Sequence, residues 1–234
     1  MIHLLWATLR PQQFVQYHKE WVSRCDNTSL IKTHVLVSTE PERQFLEKYF
    51  TQISKTDYRI EVFKPPHPGV CLPSYKLSSS FDYNDDDIVI FGSDDFLAPN
   101  GWDTYLKEKL NGKSGLLFVR DGYQAPDSSN MQHPAITIPI MTGNTLKVLE
   151  GVIYNPAYHH MFSDCELYLN AKELNVLIDD RVTDDTIFEH RHWVTGKRQA
   201  DSADQAYHHK WKEDELTWLS RKDMPINERI KVVL

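Results

Sequence analysis

The sequence predicts an α/β protein with a mostly parallel central sheet flanked by helices. Three observations lead there. Short apolar runs of strand length recur along the first 120 residues. Each is followed by a stretch whose apolar residues fall at helical spacing. The strand-to-strand intervals leave room for a helix, which implies parallel neighbours joined by right-handed crossovers.

The elements follow in order. Ile2 to Trp6 reads as a buried strand. Pro11 opens a helix whose inner face carries Phe14, Tyr17 or His18, and Trp21. His34 to Val37 is the second strand. Thr39 and Glu42 form a capping box around Pro41, and the helix behind it carries Phe45, Tyr49 and Phe50. Tyr58 to Phe63 is the third strand, Leu72 to Phe81 a helix, and Asp87 to Phe91 a strongly apolar strand. Asn100 is expected to cap a helix bearing Trp102, Tyr105, Leu106 and Leu110, and Leu116 to Val119 to be a fifth strand. Beyond Arg120 the pattern loosens. Residues 121–135 read as a functional loop, Ala135 to Met141 as a strand, Ser163 to Leu174 as a helix and Val176 to Ile178 as a short strand. The last 40 residues are expected to wrap the first half.

Composition sets the outer limits. With 234 residues, 41% hydrophobic and 25% charged, wholesale disorder is excluded and one domain is the default. The formal charge of −7 argues against a broad nucleic-acid footprint. Cys25, Cys71 and Cys165 are too scattered for a disulfide framework or a zinc cluster. The first residues lack a basic signal region, and no apolar run reaches membrane-spanning length. The expectation is a soluble cytoplasmic protein.

Of four acidic clusters, topology singles out one. Ligands of open parallel sheets bind beyond the carboxyl ends of the strands. Asp85-Asp86-Asp87 precedes its strand and reads as a solvated turn. Ser93-Asp94-Asp95 follows the same strand, with Gly92 permitting a bend. Paired carboxylates there suit Mg²⁺ or Mn²⁺ and the phosphate oxygens such ions bring.

Residues 87–99, Asp-Ile-Val-Ile-Phe-Gly-Ser-Asp-Asp-Phe-Leu-Ala-Pro, resemble the Asp-x-Asp segment of GT-A glycosyltransferases, family-2-like members especially. Residues 7–11 are similar to that family's first strand-loop, 36–40 to its second strand end, 161–167 to its acceptor-side acidic motif and 188–193 to its late His segment. Ser93 stands where many relatives have Asp, Glu40 or Ser38 replaces the Asp of the second strand, and Lys76 stands where Asn is common.

The resemblance implies a nucleotide-sugar-binding half over 1–120 and an acceptor-binding half over 121–234 of one GT-A domain. It implies a metal-dependent, inverting transferase. Asp95 would bind Mn²⁺ or Mg²⁺ across the donor diphosphate, helped by His190 or His192. Ser93 and Asp94 would face the donor, with Thr8 and Arg10 against base or phosphate, Glu40 near the base, and Lys76 and Arg198 on the diphosphate. Asp164 would be the general base. Its local reading is different: Ser163 and Glu166 form a capping box, and a carboxylate in a first helical turn has its pKa lowered by the dipole. His159-His160 and His208-His209 read as surface, and Trp102 and Trp193 as core. The Lys210-Trp211-Lys212 stretch and Asp201 are candidates for acceptor contact, a solvated helix being the plainer reading.

The expected acceptor is a hydroxyl group of a polysaccharide or other glycan. The alternatives are a hydroxymethylated base in DNA, as in viral enzymes, and a degenerate module that only binds sugar or nucleotide. A nucleotidyltransferase or phosphohydrolase would use the same carboxylates, but no Gly-rich phosphate loop supports it.

Overall fold

The computed structural model of the protein describes residues 1–53, 57–64, 69–122, 134–181, 187–193, 196–201, 204–205 and 210–232. Its centre is a seven-stranded sheet. Four strands run parallel side by side: β3 (Asp57–Val62), β2 (Ile31–Val37), β1 (Ile2–Ala7) and β4 (Ile88–Gly92). The sheet continues through β7 (Ile140–Thr142), β6 (Leu116–Phe118) and β8 (Leu177–Asp179), with β7 antiparallel to both its neighbours. One sheet thus draws strands from both halves of the chain.

Every residue of β4 is buried, as is every residue of β1 but Ala7. Alternate residues therefore feed two cores. Leu4, Trp6, Ile88 and Ile90 pack on one face, against α1 (Pro11–Ser23), α2 (Glu40–Gln52) and α4 (Trp102–Leu110). Leu5, Val89 and Phe91 pack on the other, against α3 (Cys71–Ser78), α5 (Gly143–Val148), α6 (Ser163–Glu173) and α7 (Trp211–Arg221). A final helix, α8, spans Ile226–Arg229. A two-stranded antiparallel ribbon, β5 (Phe96–Leu97) with β9 (Glu189–His190), stands beyond the end of β4.

Several local expectations change. The Thr39–Glu42 capping box forms, but the buried face of α2 is Leu46, Tyr49 and Phe50, and Phe45 is exposed. Asn100 does not cap α4. Gly101 takes that place at φ 67°, and the buried Asp103 carboxylate instead accepts N–H bonds from Asp26 and Asn27 at 2.8 and 3.1 Å. The 135–141 strand shrinks to Ile140–Thr142 because Pro139 has no N–H for a ladder. Asp87 is not a solvated turn residue: it is buried, 3.3 Å from His3 Nε2, and accepts the Asn84 N–H. Gly92 supplies room rather than a bend, since a Cβ there would stand 3.0 Å from the Trp6 indole. Much of the C-terminal region packs on the second half of the chain: Arg221 clasps buried Glu166 with two hydrogen bonds, at 2.9 and 3.0 Å.

Candidate active site

The strand order reverses between β1, which leads to β2, and β4 on its other side. The register pairs Trp6 with Gly92, so the loops after these two strands leave side by side. That crevice opens into a cavity of about 450 Å³, lined by Arg10, Ser93, Asp94, Asp95, Asp164, His190, His192, Arg198 and Asp204 among others. Its position is the ligand-binding end of an open α/β sheet.

The first loop grips the second. Thr8 Oγ1 donates to Asp94 at 3.1 Å, Arg10 Nη1 donates to the same carboxylate at 3.1 Å, and Gln13 Nε2 donates to the Asp94 carbonyl at 2.8 Å. Burial is the strongest influence on Asp94. It pushes the carboxyl up to about 6, against the pull of Arg10 and with help from neighbouring Asp95.

Asp95 goes the opposite way. Burial alone would raise it, but the hydrogen bond and charge of His190, then the Ser93 hydroxyl at 2.6 Å, hold it well below the usual carboxylate range. The ribbon explains the His190 contact. β5 pairs Phe96 with His190, the imidazole stacks on the Phe96 ring at 4.1 Å, and His190 Nε2 comes 3.5 Å from Asp95 Oδ2. The His192 ring lies 5.1 Å from that of His190, and burial lowers its pKa to about 4, with His190 adding to the effect.

Two guanidiniums run through the carboxylates. Arg10 reaches Asp94, Asp201 at 2.9 Å and Asp204 at 3.0 Å. Arg198 holds Asp204 in a two-pronged pair, Nη2 to Oδ1 at 2.7 Å, and stands 3.6 Å from Asp95. Asp204 is lowered to about 2, because Arg198, the Asp201 N–H and Arg10 together overcome its burial.

Asp164 faces the cavity from the other side, in the first turn of α6. The Ser163–Glu166 capping box does not form. Phe162 is the N-cap at φ 66°, and Glu166 is taken by Tyr158 and Arg221. Asp164 accepts the Cys165 N–H at 2.9 Å, yet burial outweighs this and raises its pKa, contrary to the dipole expectation.

The sequence candidates thus divide. Ser93, Asp94, Asp95, Asp164, His190, His192 and Arg10 line one cavity, and Thr8 hydrogen-bonds into its floor. Glu40 and Lys76 are not brought to it. Glu40 is exposed and paired with Arg43 in α2, and Lys76 is exposed on α3. His160 is not a surface residue, since it lines the cavity. Trp102 is fully buried. His208-His209 and most of the 121–135 loop lie outside the described residues. Asp204, Tyr154 and Trp211 also line the cavity. Asp204 and Tyr154 carry no motif, whereas Trp211 belongs to the Lys210-Trp211-Lys212 stretch that the sequence offers for acceptor contact.

Asp95 and His190 are the residues that could hold a cation. Asp95 Oδ2 and His190 Nε2 are 3.5 Å apart, close to the roughly 3 Å between adjacent ligands of an ion bound at about 2.1 Å. Among the described residues no three acidic, imidazole or thiol groups converge to hold an ion unaided. Mg²⁺-like ions bound to nucleotides need no more, since phosphate oxygens and water complete the shell.

No protein-family model and no curated protein matches the sequence. Solved structures do match. S. aureus TarS 1–349 in complex with UDP-GlcNAc superposes with a TM-score of 0.63 at 14% identity, over 97% of this chain and 69% of that one. A second structure of TarS 1–349 gives 0.59 at 13% identity, over 98% and 77%. A longer TarS structure gives 0.62 at 12% identity, over 97% of this chain and 41% of that one. At such identities the likeness is one of fold. The chain has the GT-A glycosyltransferase fold that its motifs resemble.

Proposed function

We propose that the protein is a metal-dependent, inverting glycosyltransferase. It moves a sugar from a nucleoside-diphosphate donor to a hydroxyl group of a glycan. One observation carries the reading: Asp95 and Asp164 face a single cavity at the carboxyl ends of the strands, with their pKa values driven in opposite directions. Such splitting supports different roles for the two carboxyl groups. A carboxylate kept ionised suits cation binding, and one raised toward neutrality suits proton transfer.

The charge of the cavity supports a divalent cation. Its lining holds four carboxyl groups, Asp94, Asp95, Asp164 and Asp204, against two guanidiniums, Arg10 and Arg198. A diphosphate entering alone would meet a wall with an excess of acid. Asp95 and His190 are the residues to hold Mn²⁺ or Mg²⁺, with His192 behind them. When bound, the ion neutralises charge building on the departing diphosphate. Arg10 and Arg198 are placed to take phosphate oxygens, and Thr8 and Asp94 to fix the nucleoside.

The reaction is a single displacement. The acceptor oxygen attacks the anomeric carbon as the bond to the diphosphate oxygen breaks. The electron pair leaves on the diphosphate, and the hydroxyl proton passes to Asp164. A diphosphate and a glycoside of inverted configuration result. TarS crystallised with UDP-GlcNAc, which supports a nucleotide sugar as the donor class. Among the described residues no helix is long and apolar enough to cross a membrane. Incubation with a panel of nucleotide sugars and Mn²⁺, followed by proton NMR of the anomeric signals, tests the mechanism. Inverted product is expected, and retained configuration would remove Asp164 from its role as base.

A further inference from the structure

The wall that carries Asp164 is built with more constraint than a helix start requires. Asp214, fully buried in the first turn of α7, accepts three successive backbone N–H bonds, from His159, His160 and Met161, at 2.8, 2.9 and 2.8 Å. From the other side, Cys71 N–H donates to the His159 carbonyl at 3.3 Å. Gly69 lies so close that a Cβ would stand 2.3 Å from that carbonyl oxygen. The chain then passes through Phe162 at φ 66°, a strained conformation for a bulky residue, immediately before Ser163 and Asp164.

Phe162 is held by two tryptophans of α7, with ring centroids 5.3 Å from Trp211 and 6.5 Å from Trp218. The two differ in exposure: Trp218 is buried, whereas Trp211 is 41% exposed and lines the cavity. Val70 and Met161 line it too, next to the clamped backbone. The Asp164 side therefore ends in an apolar ledge with an indole at its edge, facing a cavity whose floor is charged.

We propose that Trp211 is the stacking platform of the acceptor subsite and that it takes a neutral sugar ring. This rests on the transferase reading. A pyranose has an apolar C–H face for an indole and a rim of hydroxyl groups, one of which would lie toward Asp164. Indoles suit such amphipathic partners. A nucleobase would stack as well, but its strand brings phosphates. The first turn of α7 offers phosphates little net positive charge: Lys210 is engaged by Glu213 at 2.7 Å, and Lys212 is followed by Glu213 and Glu215.

The test measures acceptor kinetics with the nucleotide sugar that the wild type binds, using p-nitrophenyl glycosides of glucose, galactose and N-acetylglucosamine. A 5-hydroxymethylcytosine oligonucleotide is the competing acceptor. Trp211→Ala should raise the KM of the glycoside used by the wild type roughly tenfold. Trp211→Tyr should restore most of the loss, and the donor Kd should move less than twofold in both. Leu219→Ala, on the exposed side of α7, should change nothing. An unchanged glycoside KM in Trp211→Ala overturns the platform, as does a preference for the oligonucleotide or failure of every glycoside to serve. If the wild type binds no donor at all, the transferase reading fails first and takes the platform with it. Donor binding with an indifferent Trp211 removes the platform alone.

Discussion

The two sides of the cavity are made differently. The floor, proposed to take the donor, is set by the sheet: the loops after β1 and β4 leave neighbouring parallel strands in fixed register, and their carboxylates are tied into hydrogen bonds and ion pairs. The Asp164 wall is set by α7, through Asp214 and Arg221 gripping the chain on either side of the base. On the floor, donors and cations overcome burial at Asp95 and Asp204 but not at Asp94, which burial raises to about 6. On the wall, burial wins at Asp164. The same residue type serves two purposes because its surroundings differ in hydrogen-bond donors and cations, not in depth alone.

Removing the base should break this comparison most severely. Asp164→Asn keeps the shape of the wall but cannot accept a proton. It should lower kcat by about 10²–10⁴ and leave the donor Kd near that of the wild type, by steady-state kinetics and titration calorimetry. Equal loss of binding and turnover would place Asp164 on the floor instead.

Acidification should separate the two sides next. Burial raises the pKa of Asp164, while His190 and Ser93 hold that of Asp95 down, so Asp164 takes up its proton at a higher pH than Asp95. As pH falls, kcat should decline before the Mn²⁺ dependence carried by Asp95 is lost, while donor affinity should weaken as Asp94 takes up its proton near pH 6. Stability has its own sign. His34 and His192 have pKa values lowered to about 4 by burial, so the stability they contribute is present above about 6.5 and is lost as pH falls through 4. Each contributes a slope of up to about 1.4 kcal/mol per pH unit in that window, readable in urea midpoints. Stability that is flat from pH 7 to 4 would contradict the burial of these rings.

A smaller effect, of unusual sign, belongs to Asp204. It occupies both guanidiniums that the proposed diphosphate would use. Asp204→Asn removes one negative charge and loosens Arg198, while Arg10 keeps Asp94 and Asp201 as partners. Donor Kd should fall by roughly threefold to tenfold at low salt, and the gain should shrink as salt screens it. Weaker donor binding would mean that Asp204 orients the arginines for the donor rather than competing with it.

The smallest effects should come from Glu40→Ala and Lys76→Ala. Both side chains are exposed and away from the cavity, so stability should change little and the donor Kd not at all. A tenfold rise in donor Kd would extend the floor to α2 or α3.

What was legible in the sequence follows the same divide. The apolar runs of β1 and β4 and the Thr39–Glu42 box are local signals, and each forms its expected element. Ser93-Asp94-Asp95 could be located because strand polarity tells which end of β4 faces a ligand. Elsewhere a tertiary partner overrode the local pattern. Glu166 looked like half of a capping box until Arg221 and Tyr158 took it. Asp87 looked like a turn residue until His3 drew it inward. Asp204 and Asp214 have no periodicity to announce them, because their partners lie far away in sequence: 194 residues for Asp204 and Arg10, and more than 50 for Asp214 and the 159–161 backbone. Glu40 and Lys76 came from matching positions to a family pattern, and neither lies where the pattern would need it.

The central claim is a cation-dependent donor site built on Asp95. It is tested most directly by thermal shift with nucleoside diphosphates and nucleotide sugars, each with and without Mn²⁺, on wild type and Asp95→Asn. A ligand at 100 times its Kd stabilises by about 2.7 kcal/mol, a shift of several degrees. The account predicts a shift for one nucleotide family that requires Mn²⁺ and vanishes in Asp95→Asn. No shift with any nucleotide, or one that survives unchanged without Mn²⁺ and in the variant, would contradict it.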